Sequence, residues 1–181
     1  MAKRRQWVWW VATLGVLAAL LAAGWSARHR FLPMDVGTRA PDFQAVDLQG
    51  RRVSLSSLRG QVVLVNIWAT WCGPCRDEMP SMERLHRELG PRGLKIVAVS
   101  VDRSPTGANE LQAFAQELGV TFPVWHDASG RIQQTYRTTG VPESFLVGRD
   151  GVIVRKVIGA TEWDHPAQAD LVRRLLAEGP A

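Results

Sequence analysis

The chain contains two cysteines, which stand in the run Trp71-Cys72-Gly73-Pro74-Cys75. Two thiols separated by two residues can exchange a disulfide with another protein, because one thiolate attacks and the other resolves the mixed disulfide. A purely structural disulfide at this spacing would constrain the unfolded chain little, since it closes a short loop. A structural zinc site needs four ligands, and the four histidines of the chain show no paired metal spacing. The spacing therefore predicts a redox-active pair.

The residues around the pair predict a different role for each cysteine. The apolar, β-branched run 62–68 is typical of a central strand buried on both faces, and residues 73–89 have helical spacing. Cys72 would then lie at a helix N-terminus, where free N–H groups and the helix dipole stabilise a thiolate. Cys75 would lie in the first turn and be more buried. We therefore predict that Cys72 is the nucleophile and Cys75 the resolving thiol.

Three neighbouring residues bear on the chemistry of this pair. Gly73 and Pro74 supply no charge and no hydrogen-bonding side chain, which favours a reducing couple over an oxidising one. Glu78 stands one helical turn after Cys75 and is expected near the buried sulfur. It could accept the proton of Cys75, with its pKa raised by burial, or it could simply complement the helix dipole. The sequence leaves both interpretations open.

The remaining pattern predicts an α/β fold with a mixed sheet. Strands alternate with helices, and the order ends in a hairpin and a closing helix. The strands are expected at 43–46, 52–54, 62–68, 94–101, 122–125, 144–147 and 152–158, and the helices at 73–89, 108–118, 132–136 and 165–177. Pro80 is expected to kink the first of these helices.

The N-terminal part of the chain predicts a membrane anchor. No charged residue lies between Arg5 and Arg28, and the run 7–27 is long enough for a helix to span a bilayer. We predict a cytoplasmic segment 1–6, a transmembrane signal anchor 7–27, a linker 28–38 and one folded domain 39–181. The basic residues before the span favour an exported domain, in the periplasm or otherwise outside the cytoplasm, on a bacterial inner membrane. A cleaved signal peptide is the competing interpretation, although this apolar run is longer than usual for one.

The charge of the chain gives no support for a nucleic-acid partner. The formal net charge is +5, but five basic residues lie in the first thirty positions, which contain no acid. The rest of the chain has 17 basic and 17 acidic residues and is formally neutral. The basic excess therefore belongs to the N-terminal arm and indicates no phosphate-binding surface.

Several motifs together resemble the thioredoxin superfamily, and within it the membrane-anchored TlpA/ResA-type thiol:disulfide oxidoreductases. The resemblance covers residues 36–176. It lies in four runs besides the acid at Glu78: Ala40-Pro41-Asp42-Phe43, Leu55-Ser56-Ser57-Leu58-Arg59-Gly60, the run from Val62 through the cysteines to Pro80, and Gly140-Val141-Pro142-Glu143-Ser144-Phe145-Leu146-Val147.

This resemblance implies a thioredoxin fold with an N-terminal β-hairpin and an inserted helix and strand, here within residues 108–125. It implies that Pro142 follows a cis peptide bond and that the backbone of Val141 meets an extended substrate. Trp71, Gly73 and Pro74 would contact partners at the cysteine surface, whereas Trp68 is expected in the core.

The same resemblance implies partners and a cellular role. The expected clients are thiols or disulfides of exported proteins, as in cytochrome c maturation. The expected electron source is a membrane conduit of the DsbD/CcdA type. A monomer is expected, with no cofactor beyond the cysteine pair. Glu143 is similar to an acid of the cytochrome c maturation thioredoxins, but it could also be an ordinary exposed carboxylate.

Three other functions remain to be weighed against a reductant. A peroxiredoxin is disfavoured, because Thr70 is only two residues before Cys72 and no proline stands where that motif requires one. A DsbA-like oxidant is disfavoured because no histidine lies between the cysteines. A Cu(I)-handling metallochaperone stays open, since two soft thiolates suffice for transient copper transfer.

Overall fold

The computed structural model describes residues 10, 13–23, 34–103 and 107–179. The chain divides into two compact units, Met1–Pro33 and Met34–Ala181. In the first unit, residues 13–23 are helical. No helix among the described residues is both long enough and apolar enough to cross a bilayer. Because residues 7–9, 11–12 and 24–27 lie outside the described part, the anchor stays a prediction, as do the segments 1–6 and 28–33.

The second unit contains seven strands and four α-helices among its described residues. The strands are β1 (Gln44–Asp47), β2 (Arg52–Ser54), β3 (Val62–Trp68), β4 (Leu94–Ser100), β5 (Val124–His126), β6 (Glu143–Val147) and β7 (Ile153–Ile158). The helices are α1 (Gly73–Leu89), α2 (Ala108–Glu117), α3 (Arg131–Tyr136) and α4 (Pro166–Ala177). Short 3₁₀ turns occupy Leu55–Leu58 and Gly90–Arg92.

The strands form one mixed sheet in the order β2-β1-β5-β4-β3-β6-β7. The three inner strands β3, β4 and β5 run parallel, while β6 and β7 on one side and β1 and β2 on the other are antiparallel to their neighbours. All seven residues of β3 are buried, as expected for a central strand covered on both faces. The thioredoxin-like α/β fold predicted from the sequence is therefore confirmed.

The observed elements begin and end within about two residues of the predicted ones. The predicted N-terminal hairpin is present, but its position in the sheet was not predicted: β1 pairs antiparallel with β5, the strand of the insertion. Part of the predicted linker also joins the sheet, because the Gly37 N–H donates to the carbonyl of Ile153 at 2.8 Å. Pro80 lies inside α1, which nevertheless continues to Leu89.

The side chains of β3 alternate between the two faces of the sheet and lie beside different helices. Asn66 and its cross-strand partner Ser144 point to the face covered by α1, where Asn66 meets Glu78. Val65 and its partner Phe145 point to the other face, where Tyr136 of α3 packs edge-on to Phe145. The C-terminal end of β3 thus delivers the chain to α1 between two packed layers, and the cysteines lie at that junction.

Candidate active site

The two cysteines form a disulfide at the start of α1. Their Cα atoms are 5.3 Å apart, and Cys72 is the N-cap residue of the helix. The Cys75 backbone N–H donates to the Cys72 sulfur at 3.2 Å, so this sulfur takes the place of the side-chain oxygen that usually caps a helix. An amide that donates to the sulfur in the disulfide is also placed to stabilise a thiolate there.

The residues between and before the cysteines form the exposed rim of the site. Pro74 occupies the first turn, where a missing N–H costs no helical hydrogen bond. Gly73 and Pro74 are exposed, and the Trp71 side chain is 72% exposed. The cysteines themselves are buried in the disulfide state, with Cys72 at 4% and Cys75 at 0% exposure. The nucleophile is therefore less accessible here than its position at a helix N-terminus suggested.

Glu78 is the central member of a buried polar cluster on α1. The residue is 2% exposed. Its Oε1 accepts a hydrogen bond from Asn66 Nδ2 at 2.6 Å, and its Oε2 accepts one from the Thr161 backbone N–H at 3.2 Å. Asn66 Nδ2 also donates to the Ser144 hydroxyl at 2.9 Å. Asn66 of β3 and Thr161 of the segment after β7 thus hold the carboxyl group, and Ser144 of β6 holds Asn66.

The environment of Glu78 raises its pKa towards neutral pH. Burial raises its pKa to about 7, and the hydrogen bonds from Thr161 and Asn66 offset only part of that increase. The indole N–H of Trp163 also favours the anion, although it has no acceptor in hydrogen-bond geometry. No Lys or Arg forms an ion pair with Glu78 within the described part of the chain.

A second buried carboxylate holds the segment that leads into Cys72. Asp102 follows β4 and is 2% exposed. Its Oδ2 accepts from the Thr70 backbone N–H at 2.9 Å, and its Oδ1 accepts from the Thr70 hydroxyl at 2.7 Å. The Ser100 hydroxyl donates to Oδ2 at 2.7 Å, and His126 Nε2 lies 2.9 Å from the Asp102 carbonyl oxygen. Residues at the ends of β3 and β4 therefore meet at this carboxylate, and β5 reaches the backbone of Asp102 through His126.

The loop that carries Val141 is held by a hydrogen bond to the residue after β7. The Val141–Pro142 peptide bond is cis, as the resemblance implied. Val141 is half-buried and Pro142 is buried, and the Pro142 carbonyl accepts from the Gly159 N–H at 2.9 Å. The backbone after the proline is thereby engaged in the sheet.

Glu143 is not the exposed carboxylate considered as an alternative for it, because it is completely buried. Its Oε1 lies 2.8 Å from Lys156 Nζ, and its Oε2 accepts from the Thr139 backbone N–H at 3.0 Å. The Lys156 side chain is only 10% exposed and lies over the ring of Phe145. The ion pair therefore anchors the loop before Pro142 from inside the domain.

The inserted helix α2 packs against the start of α1. The Phe114 ring stacks on Trp68 with a centroid distance of 4.8 Å. The Arg76 guanidinium carbon lies 4.8 Å from the centroid of the same Phe114 ring. Arg76 also forms an ion pair with Glu117. Trp68, the last residue of β3, is fully buried, as expected. The Phe114 ring therefore contacts both Trp68 and Arg76, the residue directly after Cys75.

The sequence singled out Cys72, Cys75, Glu78 and the Val141–Pro142 loop, but it missed Asn66 and Asp102. The sequence contains a feature that could have identified each of these two residues. Asn66 is the one polar residue in the apolar run 62–68, and a buried amide needs partners. Asp102 directly follows a parallel strand, and the carboxyl ends of such strands meet at one edge of a sheet.

The described residues contain no group of three or more His, Cys, Asp or Glu side chains that could hold a metal ion. The two thiols are the soft ligands of this site, and in the structure they are bonded to each other.

Comparisons with known proteins agree with this geometry. The AhpC/TSA family model matches residues 36–156. The thiol-disulfide oxidoreductase ResA of Bacillus thuringiensis is 36% identical over 126 residues, covering 70% of this chain and 71% of that protein. The thioredoxin-like protein YneN of Bacillus subtilis is 34% identical over 148 residues, covering 80% and 86%.

A crystal structure of a thiol:disulfide interchange protein from Chlorobium tepidum superposes with a TM-score of 0.64 at 27% identity, covering 78% of this chain and 98% of that one. The fold, the disulfide at the start of α1 and these likenesses point to one activity. The chain belongs to the AhpC/TSA family of thioredoxin-like proteins and is a thiol–disulfide oxidoreductase similar to ResA.

Proposed function

We propose that the protein is a membrane-anchored reductant of disulfides in exported proteins. The observation that carries the proposal is the Cys72–Cys75 disulfide at the start of α1, with the buried carboxyl group of Glu78 one helical turn after Cys75. Burial raises the pKa of Glu78 to about 7, so this group can take the proton of Cys75 when that thiol must become a nucleophile.

The reaction proceeds through two exchanges. The Cys72 thiolate attacks one sulfur of a client disulfide, so that a bond forms between Cys72 and the client while the second client sulfur leaves as a thiolate. Cys75 then transfers its proton to Glu78 and attacks the Cys72 sulfur, which releases the first client sulfur. Two electrons have passed from the dithiol to the client, and the Cys72–Cys75 disulfide is formed.

The exposed residues support the binding of an extended client. Trp71 offers a large exposed aromatic surface beside Cys72. Gly73 and Pro74 present no side chain that would obstruct a backbone in close approach. The Val141 loop lies ahead of the cis proline and is held by Glu143, so its backbone is available to pair with the client.

The proposed cycle needs a source of electrons and a location. A membrane conduit of the DsbD/CcdA type would return two electrons and two protons to the disulfide. The predicted anchor at residues 7–27 would keep the domain beside such a conduit, on the outer side of the cytoplasmic membrane. The clients we propose are apocytochrome c and other exported thiol proteins.

Trapping of mixed disulfides tests the proposal. Cys75→Ala should accumulate disulfides between Cys72 and its clients in cells, and mass spectrometry identifies them. The matched control is Cys72→Ala with Cys75→Ala, which should trap none. Recovery of only cytoplasmic proteins would refute the exported location.

The redox potential tests the direction of electron flow. A reductant should titrate against glutathione near thioredoxin's roughly −270 mV, and a value above about −180 mV would favour the oxidant instead. Stoichiometric Cu(I) binding by the reduced protein, without accelerated disulfide exchange, would favour the metallochaperone.

Extraction tests the anchor. The full-length protein should require detergent for release from membranes, whereas a chain beginning near Asp35 should be soluble and retain reductase activity. A mature protein that lacks residues 7–24 would show that the segment is a cleaved signal peptide.

A further inference from the structure

Asp102 differs from most other buried acids of the domain in its lack of a cationic partner. Glu83 pairs with Arg87, and Glu143 pairs with Lys156. No Lys or Arg forms an ion pair with Asp102 among the residues that the structure describes. Its negative charge is met only by dipoles, from the Thr70 N–H and the hydroxyls of Thr70 and Ser100.

The contacts of Asp102 place this charge close to the nucleophile. Its Oδ2 lies 2.9 Å from the Thr70 backbone nitrogen, and Cys72 is the second residue after Thr70. Two residues of fully extended chain reach about 7 Å, so the Cys72 backbone lies within about 12 Å of the carboxylate. Both residues are buried, so solvent and salt screen the interaction less than at an exposed site.

We propose that Asp102 is a positioning residue that fixes the segment before Cys72 and, through its buried charge, disfavours the Cys72 thiolate, which makes the cysteine couple a stronger reductant. A negative charge opposes a second one nearby, and the reduced state is the state that carries the thiolate. The helix N-terminus favours the thiolate, and Asp102 counteracts that effect from the other side of the turn.

The size of the effect follows from the distance. Two charges about 12 Å apart in a medium of effective dielectric constant ~20 change an ionisation constant about tenfold. The Cys72 sulfur can lie up to about 3 Å beyond its backbone, and at about 15 Å the same relation still gives a change of about sixfold.

Other charged or titratable side chains surround this end of the sheet. They are Arg76, which pairs with Glu117, Glu78 one helical turn after Cys75, His126 beside the Asp102 carbonyl, Asp127, whose N–H donates to the Ser100 carbonyl, and Arg103 next in the chain. All of them are unchanged between the wild type and an Asp102 variant, so the difference between the two proteins isolates Asp102. Repeating the comparison in a Glu78→Gln background removes the overlapping titration of Glu78.

The test measures the rate of Cys72 alkylation against pH in the reduced full-length protein in detergent. Asp102→Asn keeps the shape of the side chain: its oxygen can accept from the Thr70 N–H and the Ser100 hydroxyl, and the Thr70 hydroxyl can turn to accept from its NH₂ group. The pH midpoint should fall by about one unit, and the rate below both midpoints should rise about threefold, because the larger thiolate fraction outweighs the lower nucleophilicity of a less basic thiolate. At a pH above both midpoints, the equilibrium with glutathione should shift towards the dithiol by about tenfold, which is about 30 mV for two electrons.

Glu83→Gln is the matched control. Glu83 is also buried and binds a threonine in the same way, through the Thr121 N–H at 2.8 Å and the Thr121 hydroxyl at 2.7 Å. It stands eleven residues after Cys72, about 16 Å along the helix, and its charge is paired. This variant should lower the alkylation midpoint by less than Asp102→Asn does, because its charge is farther away and Arg87 already offsets it.

Thr70→Val keeps the carboxylate but removes one of its donors. The pH midpoint of Cys72 alkylation should stay the same or rise in this variant. This result can be measured even if the Asp102 variant does not fold. A folded Asp102→Asn protein with the wild-type midpoint, or a fall of the midpoint in Thr70→Val, would overturn the inference. The inference rests on the proposed reductant role, but each readout is a difference from the wild type. An oxidising wild-type potential would therefore refute the reductant role without changing the sign expected for Asp102.

Discussion

The raised pKa of Glu78 makes a specific prediction about stability against pH. In the unfolded chain its carboxyl group ionises near its ordinary value of 4.5, whereas in the folded domain burial raises the pKa to about 7. The folded protein therefore holds a proton that the unfolded chain releases. The contribution of Glu78 to stability is fully present below about pH 4.5 and is lost as the pH rises to about 7.

The magnitude follows from the same pKa values. A difference of this size corresponds to about 3 kcal/mol of unfolding free energy over the whole range. Glu78→Gln is neutral at every pH and should not lose this contribution. Its single amide oxygen replaces the two oxygens that accept from Asn66 and Thr161, and the lost acceptor costs roughly 1–3 kcal/mol, but that cost is the same at every pH. Only the change with pH is diagnostic.

Urea unfolding of the oxidised domain at pH 4.5, 6 and 8 measures the effect without interference from thiol titration. The stability of Glu78→Gln relative to the wild type should increase by about 3 kcal/mol from pH 4.5 to 8. Glu83→Gln provides a control of opposite sign. Hydrogen bonds from Thr121 and Arg87 lower the pKa of Glu83, so its contribution is present above the unfolded value and is lost as the pH falls. A flat difference for Glu78→Gln would refute the raised pKa and, with it, the proposed proton acceptor.

Three further outcomes are expected. In the reduced protein near neutral pH, iodoacetamide should modify Cys72 before Cys75, because Cys72 caps the helix; peptide mapping decides this, and the reverse order would exchange the two roles. Phe114→Ala should lower the unfolding free energy by about 3–5 kcal/mol in urea titrations, whereas a loss below about 1 kcal/mol would show that the stack on Trp68 does not brace the fold. Lys156→Met should cost about 3–5 kcal/mol by leaving Glu143 buried without its cation, and adding Glu143→Gln should restore much of it; no recovery in the double variant would contradict this account of the ion pair.

The fold was largely predictable because its signals are local. A continuous apolar run such as 62–68 indicates a buried strand wherever it pairs, and Cys-Gly-Pro-Cys followed by helical spacing indicates a helix start. The pairing of β1 with β5 was not predictable in the same way, since a short strand carries no mark of its neighbour across the sheet. The position of the hairpin therefore had to come from the structure.

The site was predicted only as far as neighbouring residues along the chain reveal it. Glu78 could be located because α1 places it one turn after Cys75, but the sequence could not decide its role. Its burial depends on Asn66 and Thr161, which come from distant parts of the chain. Glu143 shows the same limit, because its cation, Lys156, lies on another strand and its burial contradicts the exposed carboxylate that the sequence allowed.

The buried acids of the domain differ in what compensates their charge. Glu83 and Glu143 are paired with cations and fasten the insertion and the Val141 loop. Glu78 and Asp102 have only hydrogen-bond donors within the described residues, and they lie on the two sides of the cysteine turn, one along α1 and one through Thr70. A cation offsets the charge of a paired carboxylate, whereas the charge of a carboxylate held only by dipoles acts more fully on a second charge that appears nearby. A redox turn that must gain and lose a thiolate needs the second kind beside it, and the domain places it there.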